Sequence, residues 1–178
     1  DLFDQFLLVA NPAATAASVR ATYLLPGGQT YAKTYSVAPN SRYNIWVDLE
    51  TFDGVPGTPL ANVNAVSAKL EVLNAVPIVA ERAMWWPGPS ANTWSEAHNS
   101  PGATETSTRW VVADGSVQDN PARTDTYYLI ANPTDTPASV RVALLYADGT
   151  PSTNNSSNCC LTALGSRTES QALLQLKR

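Results

Sequence analysis

Residues able to do chemistry concentrate in two stretches of this 178-residue chain. The first holds Glu81, Arg82, Trp85 and Trp86 at the end of an apolar, strand-like run. A carboxylate, a guanidinium and indole rings in one groove would bind a sugar, through hydroxyl hydrogen bonds and ring stacking. Alternatively, one charged residue forms a buried ion pair and the tryptophans close the end of a core. Neighbouring strand residues point to opposite faces, so Glu81 and Arg82 cannot both face the core.

The second stretch lies in a segment rich in Pro, Gly, Ser and Asn, where Trp94 and His98 stand close to Glu96. Loops carry binding residues more often than strands do. The alternative is a loop held by its own hydrogen bonds. Trp46 is a further candidate, because alternation places it on the polar side of its strand. An exposed ring there could stack on a sugar, pack beneath a loop or contact a neighbouring module.

Catalytic and metal sites are not indicated. The carboxylates form no recognisable glycosidase pair, and neither a nucleophile elbow nor a phosphate loop occurs. A single histidine and the adjacent Cys159 and Cys160 do not match a spaced metal-ligand pattern. We therefore expect a non-enzyme with no catalytic residue, no metal and no cofactor.

The segments that carry these residues are predicted to be short strands bounded by Gly, Pro, Asn and Asp. Gln5–Ala10 is a continuous apolar run and is predicted to be fully buried, whereas the later runs alternate. Helical periodicity is suggested only at Thr168–Lys177. The pattern predicts an all-β fold, an antiparallel β-sandwich of the immunoglobulin-like or jelly-roll type. The remaining predicted strands are Ala17–Leu25, Thr30–Val37, Arg42–Asp48, Val66–Val72, Val76–Trp86, Arg109–Ala113, Thr126–Asn132 and Ala138–Tyr146.

The chain contains an internal repeat. Residues 6–28 align without a gap to residues 127–149, and about half of the aligned positions are identical. This predicts a tandem or internally duplicated sandwich: residues 1–86 form one β unit, 87–108 an ordered loop or linker, and 109–178 a second, incomplete unit. Alternatively, the second half completes one large sandwich with the first. The recurrence of Asn11 as Asn132, each before a proline, predicts that both asparagines hydrogen-bond a turn.

Composition restricts the partners. Only 15% of residues are charged, the net charge is −4, and no basic cluster is present. Such a chain is not typical of proteins that bind nucleic acid or anionic membranes. No apolar run is long enough to span a bilayer. Abundant Thr, Ser, Asn and Ala favour an extracellular or cell-surface bacterial protein, of which this chain would be a part.

Five phrases, taken in order, resemble β-sandwich repeats of large secreted bacterial proteins and, more distantly, the sensory rhodopsin transducer family. They are LVANP (8–12), VAPNSR (37–42), PIVAERAMW (77–85), SPGAT (100–104) and WVVADG (110–115). The resemblance covers residues 1 to about 150 and implies an oligomerising, non-enzymatic sandwich that has been likened to carbohydrate-binding folds. The chain departs from it after Gly149, where the expected strand and a second VAPNSR phrase are missing.

Together these observations predict a non-enzymatic structural or adhesive module that contacts other protein modules or itself. The first alternative is a carbohydrate-binding module that uses exposed tryptophans to bind polysaccharide. The second, implied by the resemblance alone, is a signalling transducer-like interaction domain. The exposure of the tryptophan rings distinguishes the first two, because a row of solvent-facing rings favours a glycan and buried rings favour a structural role.

Overall fold

The computed structural model describes residues 3–63, 65–87, 94–112, 128–143, 145, 149, 157–161 and 166–169. It confirms an all-β fold. The strands are β1 (Asp4–Asn11), β2 (Ala17–Leu24), β3 (Thr30–Val37), β4 (Ser41–Trp46), β5 (Ser67–Val72), β6 (Val79–Pro87), β7 (Trp94–Pro101), β8 (Tyr128–Ala131), β9 (Ala138–Val142), β10 (Ser157–Leu161) and β11 (Ser166–Glu169). No helix among the described residues is long and apolar enough to cross a bilayer.

The chain divides into two compact units. The first comprises Asp1–Tyr23, Tyr31–Val63 and Ala68–Ser107, and the second comprises Leu24–Thr30, Asn64–Ser67 and Thr108–Arg178. The first unit contains a four-stranded sheet in the order β4-β1-β6-β7 and a three-stranded sheet in the order β3-β2-β5. All pairs in the four-stranded sheet are antiparallel.

The core of the first unit follows the two-residue period of its strands. On β2, the predicted inward positions Val19, Ala21 and Tyr23 are fully buried. Val9 and Ile45 of the four-stranded sheet are buried as well, which fits a sandwich with its core between the two sheets. Tyr43 lies on the same side of β4 as the buried Ile45 but is itself exposed, and its ring contacts the Tyr35 ring.

Burial along β1 differs from the prediction of a fully buried strand. Inward positions alternate with half-buried outward ones, and Gln5 and Asn11 are among the buried residues. The predicted strand at 42–48 ends earlier than expected, since Val47–Leu49 turns into a 3-10 helix. A strand was not expected within 87–108, yet β7 occupies Trp94–Pro101 and pairs with β6. Because β7 supplies a fourth strand to the sheet, this segment is not simply a loop.

In the second unit, β8 pairs with β11 and β9 pairs with β10. The strand expected to be missing after Gly149 is therefore present as β10. Arg109–Ala113 was predicted to be a strand, but residues 109–112 are in none and Ala113 lies outside the described residues. The suggested helix at 168–177 begins in β11 instead, and its remainder also lies outside them.

The two repeat copies share their local turn. Asn11 Nδ2 donates to the Thr15 carbonyl at 2.8 Å, and Asn132 Nδ2 donates to the Thr136 carbonyl at 2.8 Å. The side-chain oxygen of each asparagine also accepts a backbone N–H two residues later. These bonds confirm the predicted role of both asparagines. Duplication of the whole sandwich stays a prediction.

Candidate functional site

The outward side of the four-stranded sheet carries an aromatic cluster. The register places Phe6 of β1 opposite Trp46 of β4 on one side and opposite Ala83 of β6 on the other. Trp85 lies two residue pairs further along, opposite Asp4, and therefore on the same face. Residues directly opposite one another in a sheet share a face, so these side chains form one surface. We call this surface, made by Phe6, Trp46 and Trp85, the aromatic face.

The rings of the aromatic face are held by contacts with their neighbours. The centroids of Phe6 and Trp46 are 5.1 Å apart with the planes tilted by 35°. The Trp46 indole N–H donates to Asp4 Oδ1 at 3.3 Å. Ala83 is only 8% exposed although it lies on the solvent side, whereas Trp85 remains 37% exposed. The face is therefore pre-ordered, with one ring more accessible than the others.

The sequence candidates separate onto the two sides of the sheet. Glu81 is opposite Leu8 of β1, and it joins Trp46 and Trp85 on the outward side. Arg82 and Trp86 alternate to the inward side, as does His98, which is opposite Met84. Trp94 is opposite Pro87 at the start of β7, and its side chain lies outside the described residues. The candidates thus do not form a single groove.

Among the described residues, Arg82 has no acidic partner for the buried ion pair that the sequence offered as an alternative. Its Nε is buried and has no hydrogen-bond partner in that part of the chain, and desolvation lowers the pKa of its guanidinium. Trp86 instead donates its indole N–H to Glu96 Oε2 at 3.1 Å and packs edge-on against Phe3, with centroids 5.8 Å apart. Trp86 is therefore held by contacts within the first unit, and its indole N–H is already bonded.

Sequence reasoning missed a polar cluster in the first unit. The Tyr23 and Tyr35 hydroxyls are 2.8 Å apart, and both side chains are buried. Burial raises the pKa of both phenols well above the ordinary 10.0, so both stay neutral. Beside them, Lys33 Nζ binds Glu50 Oε2 at 2.6 Å and donates to the Thr51 carbonyl at 3.2 Å.

This cluster ties β2, β3 and the segment after β4 together. The sequence signal was weak, because an alternating Tyr or Lys on a strand reads as an ordinary surface or core position. Among the described residues, no group of three or more His, Cys, Asp or Glu side chains lies close enough to hold a metal ion. The cluster's bonds are those of a structural network.

Comparisons with known proteins add little to these observations. No protein-family model and no curated protein matches the chain. Among solved structures, the chain is similar to the crystal structure of Thermotoga maritima 1070, with a TM-score of 0.44 and 18% sequence identity. That match covers 58% of this chain and 78% of the other.

Proposed function

We propose that this chain is a non-enzymatic structural or adhesive β-sandwich module of an exported bacterial protein, and that it contacts other protein modules, including further copies of itself, through its aromatic face. The observation that carries the proposal is the cluster of Phe6, Trp46 and Trp85 on the outward side of a sheet. In an antiparallel sheet with one face in the core, the other face is ordinarily polar. Large rings at those positions favour a surface that is covered by a partner.

The pre-ordered rings support a protein contact. Aromatic side chains supply large contact areas, and binding hot spots are enriched in Trp. A ring already fixed by a neighbour loses little further conformational entropy when a partner packs on it. The Phe6–Trp46 contact and the Trp46–Asp4 hydrogen bond provide that fixation. A polar rim, here Glu81, is typical of the margin of such an interface.

Carbohydrate binding is the second candidate, and the exposure of Trp85 favours it. Its ring is 37% exposed, and Asp4 and Glu81 lie on the same side of the sheet. Carboxylates beside a ring can accept hydrogen bonds from sugar hydroxyls while the ring contacts the apolar face of the sugar. Trp46 is less suited to this role, because its indole N–H is already bonded within the chain.

Replacement of adjacent tryptophans tests both candidates. Trp85→Ala removes a ring of the aromatic face, and Trp86→Ala, on the opposite side of the same strand, is the matched control. Self-association is measured by sedimentation equilibrium, and glycan binding by pull-down on cellulose, chitin and xylan. We expect Trp85→Ala, but not Trp86→Ala, to weaken self-association about tenfold or more, as loss of a central ring does at other interfaces.

The other outcomes are equally informative, provided that circular dichroism shows both variants to be folded. Saturable binding to one polysaccharide that is lost only in Trp85→Ala would replace the protein contact with the glycan candidate. Equal behaviour of Trp85→Ala, Trp86→Ala and the unaltered chain in both assays would overturn the role of the aromatic face. The transducer-like alternative is carried by the sequence resemblance alone and stays a prediction.

A further inference from the structure

Opposite charges lie beside the aromatic face, on the outward side of the four-stranded sheet. Arg42 of β4 is opposite Ala10 of β1, and Glu81 of β6 is opposite Leu8 of β1. These positions share the outward side with Phe6, because alternate residues of β1 point the same way. Among the described residues, neither Arg42 nor Glu81 forms an ion pair. The surface therefore presents a cation on one side of β1 and an anion on the other.

The sizes of the side chains also differ between the two sides of β1. In the row of residues that crosses the sheet through Phe6, β4 contributes Trp46 and β6 contributes Ala83. In the row that contains Arg42, β6 contributes Val79. Arg42 is exposed and Val79 is 57% exposed, so this part of the surface is accessible. Long side chains thus stand on the β4 side of the surface and shorter ones at the same level on the β6 side.

A surface with this pattern is complementary to itself about one particular axis. In a two-fold dimer, each contact between two positions occurs twice. If the axis runs parallel to β1 between two facing sheets, β4 of one chain lies over β6 of the other, and the rows stay in register. Trp46 then lies over Ala83 of the second copy, and Arg42 lies over its Val79, one row from its Glu81. An arginine stem can cover an apolar residue while its guanidinium reaches a neighbouring carboxylate.

The other two-fold arrangement of facing sheets does not match the charges. An axis at right angles to β1 places β4 over β4 of the second copy, and β6 over β6. Arg42 and Glu81 of the second copy then lie on different sides of β1 and do not meet. The distribution of charge therefore favours the axis parallel to β1, because complementary charges across an interface fix its orientation and register.

We propose that the aromatic face binds a second copy of this chain about a two-fold axis parallel to β1, with Arg42 of each copy paired to Glu81 of the other. The inference rests on the proposed function and adds to it the identity of the partner and the symmetry of the contact. The rings supply the contact area, and the two charge pairs select the orientation. Asn44, in the same row as Glu81, offers its side-chain amide to the Glu81 carboxylate of the second copy.

Charge reversal in the full-length chain tests the proposal, with self-association measured by sedimentation equilibrium. We expect Arg42→Glu and Glu81→Arg each to raise the dissociation constant about tenfold or more, because like charges then face each other twice in every dimer. Arg20→Glu is the matched control for the first variant, since Arg20 is exposed on β2 of the other sheet. Asp53→Arg, at an exposed position beyond β4, is the matched control for the second. Circular dichroism checks that each variant is folded.

Mixing the two weakened variants tests whether the charges pair between copies. In a dimer of one Arg42→Glu chain with one Glu81→Arg chain, one pair keeps its natural charges and the other has both charges reversed, so both pairs are attractive. A fluorescent label on the Arg42→Glu chain reports its sedimentation alone. Excess Glu81→Arg chain should return the labelled chain to a dissociation constant near that of the unaltered protein. Such rescue requires both variants to be folded.

Three results would overturn the proposal. The first is that the reversals at Arg42 and Glu81 weaken self-association no more than their controls do, and the second is that mixing gives no rescue. If Trp85→Ala still weakens self-association in either case, the aromatic face remains a protein contact and only the two-fold arrangement is wrong. The third is an unaltered chain that stays monomeric, after which the aromatic face depends on the polysaccharide pull-down alone.

Discussion

Asn11 is the residue whose replacement tests the account of the first unit most directly. Its side chain is 1% exposed at the end of β1, and the two hydrogens of its Nδ2 are shared among the carbonyls of Thr15, Val37 and Ala38, at 2.8, 3.1 and 3.0 Å. Its Oδ1 accepts the backbone N–H of Ala13 at 3.0 Å. One amide therefore fixes the β1–β2 turn and joins the four-stranded sheet to the end of β3.

The expected cost of Asn11→Ala follows from these four contacts. A neutral hydrogen bond contributes about 1 kcal/mol, and a buried group left without a partner costs about 1–3 kcal/mol. Water can reach some of the released carbonyls, so we expect a loss of about 2–4 kcal/mol in the free energy of unfolding. Asn11→Asp preserves the shape but removes the donors and buries a carboxylate among carbonyls. It should cost at least as much at neutral pH.

Asn74→Ala is the matched control. Asn74 also bonds the backbone, accepting from Ser18 N and donating to the Ala16 carbonyl, but both bonds are exposed. Water replaces exposed bonds, so we expect a loss below about 1 kcal/mol. Urea unfolding followed by tryptophan fluorescence measures all three variants. If Asn11→Ala and Asn11→Asp cost no more than Asn74→Ala, the buried amide does not hold the two sheets together and the reasoning is refuted.

Three further predictions concern buried polar groups. Gln5 is 6% exposed, and its Nε2 has no hydrogen-bond partner among the described residues. Gln5→Met should therefore raise the free energy of unfolding by about 1 kcal/mol, and a lower stability in urea unfolding would contradict this. Burial raises the pKa of Tyr23 and Tyr35 in the folded state; only the unfolded chain then releases these protons near pH 10, so stability should fall as the pH rises above about 10. Urea unfolding across that pH range should show a smaller fall in the free energy of unfolding when both tyrosines are replaced by Phe. An equal fall in the variant and the unaltered chain would refute the assignment to these tyrosines. Lys33→Ala leaves the nearly buried carboxylate of Glu50 without its ion-pair partner and should lower the free energy of unfolding by about 1 kcal/mol. Lys69→Ala, in an exposed pair, should lower it by less than about 0.5 kcal/mol. Equal shifts of the melting temperature in the two variants would refute this difference.

The sequence predicted the local strands well where alternation was strong. Val19, Ala21 and Tyr23 occupy the buried side of β2 as expected, because strand geometry alone dictates which residues share a face. The prediction from sequence was wrong at β7, because its Ser, Glu, His and Asn content is typical of a loop. That strand is stabilised by pairing with β6, and such pairing is not encoded in local hydrophobicity.

The candidate site shows the same division. Its tryptophans were identified from residue type, and alternation along the strand already required Glu81 and Arg82 to point to opposite faces. The side of the sheet taken by each residue, and the partners it meets, required the register of β1 with β4 and β6. The Tyr23–Tyr35 and Lys33–Glu50 contacts could not be anticipated, because each joins residues that only the fold brings together.

The sequence by itself determined the all-β class, most of the strands of the first unit and the recurrent Asn-Pro turn, since these depend on period, turn residues and side-chain size. Tertiary structure alone decided which strands are neighbours, which rings form the aromatic face and which polar groups are buried. The physical reason is that a single strand can neither pair its backbone N–H and C=O groups nor bury its apolar face by itself. Its backbone hydrogen bonds and the burial of one face come from other strands distant in sequence.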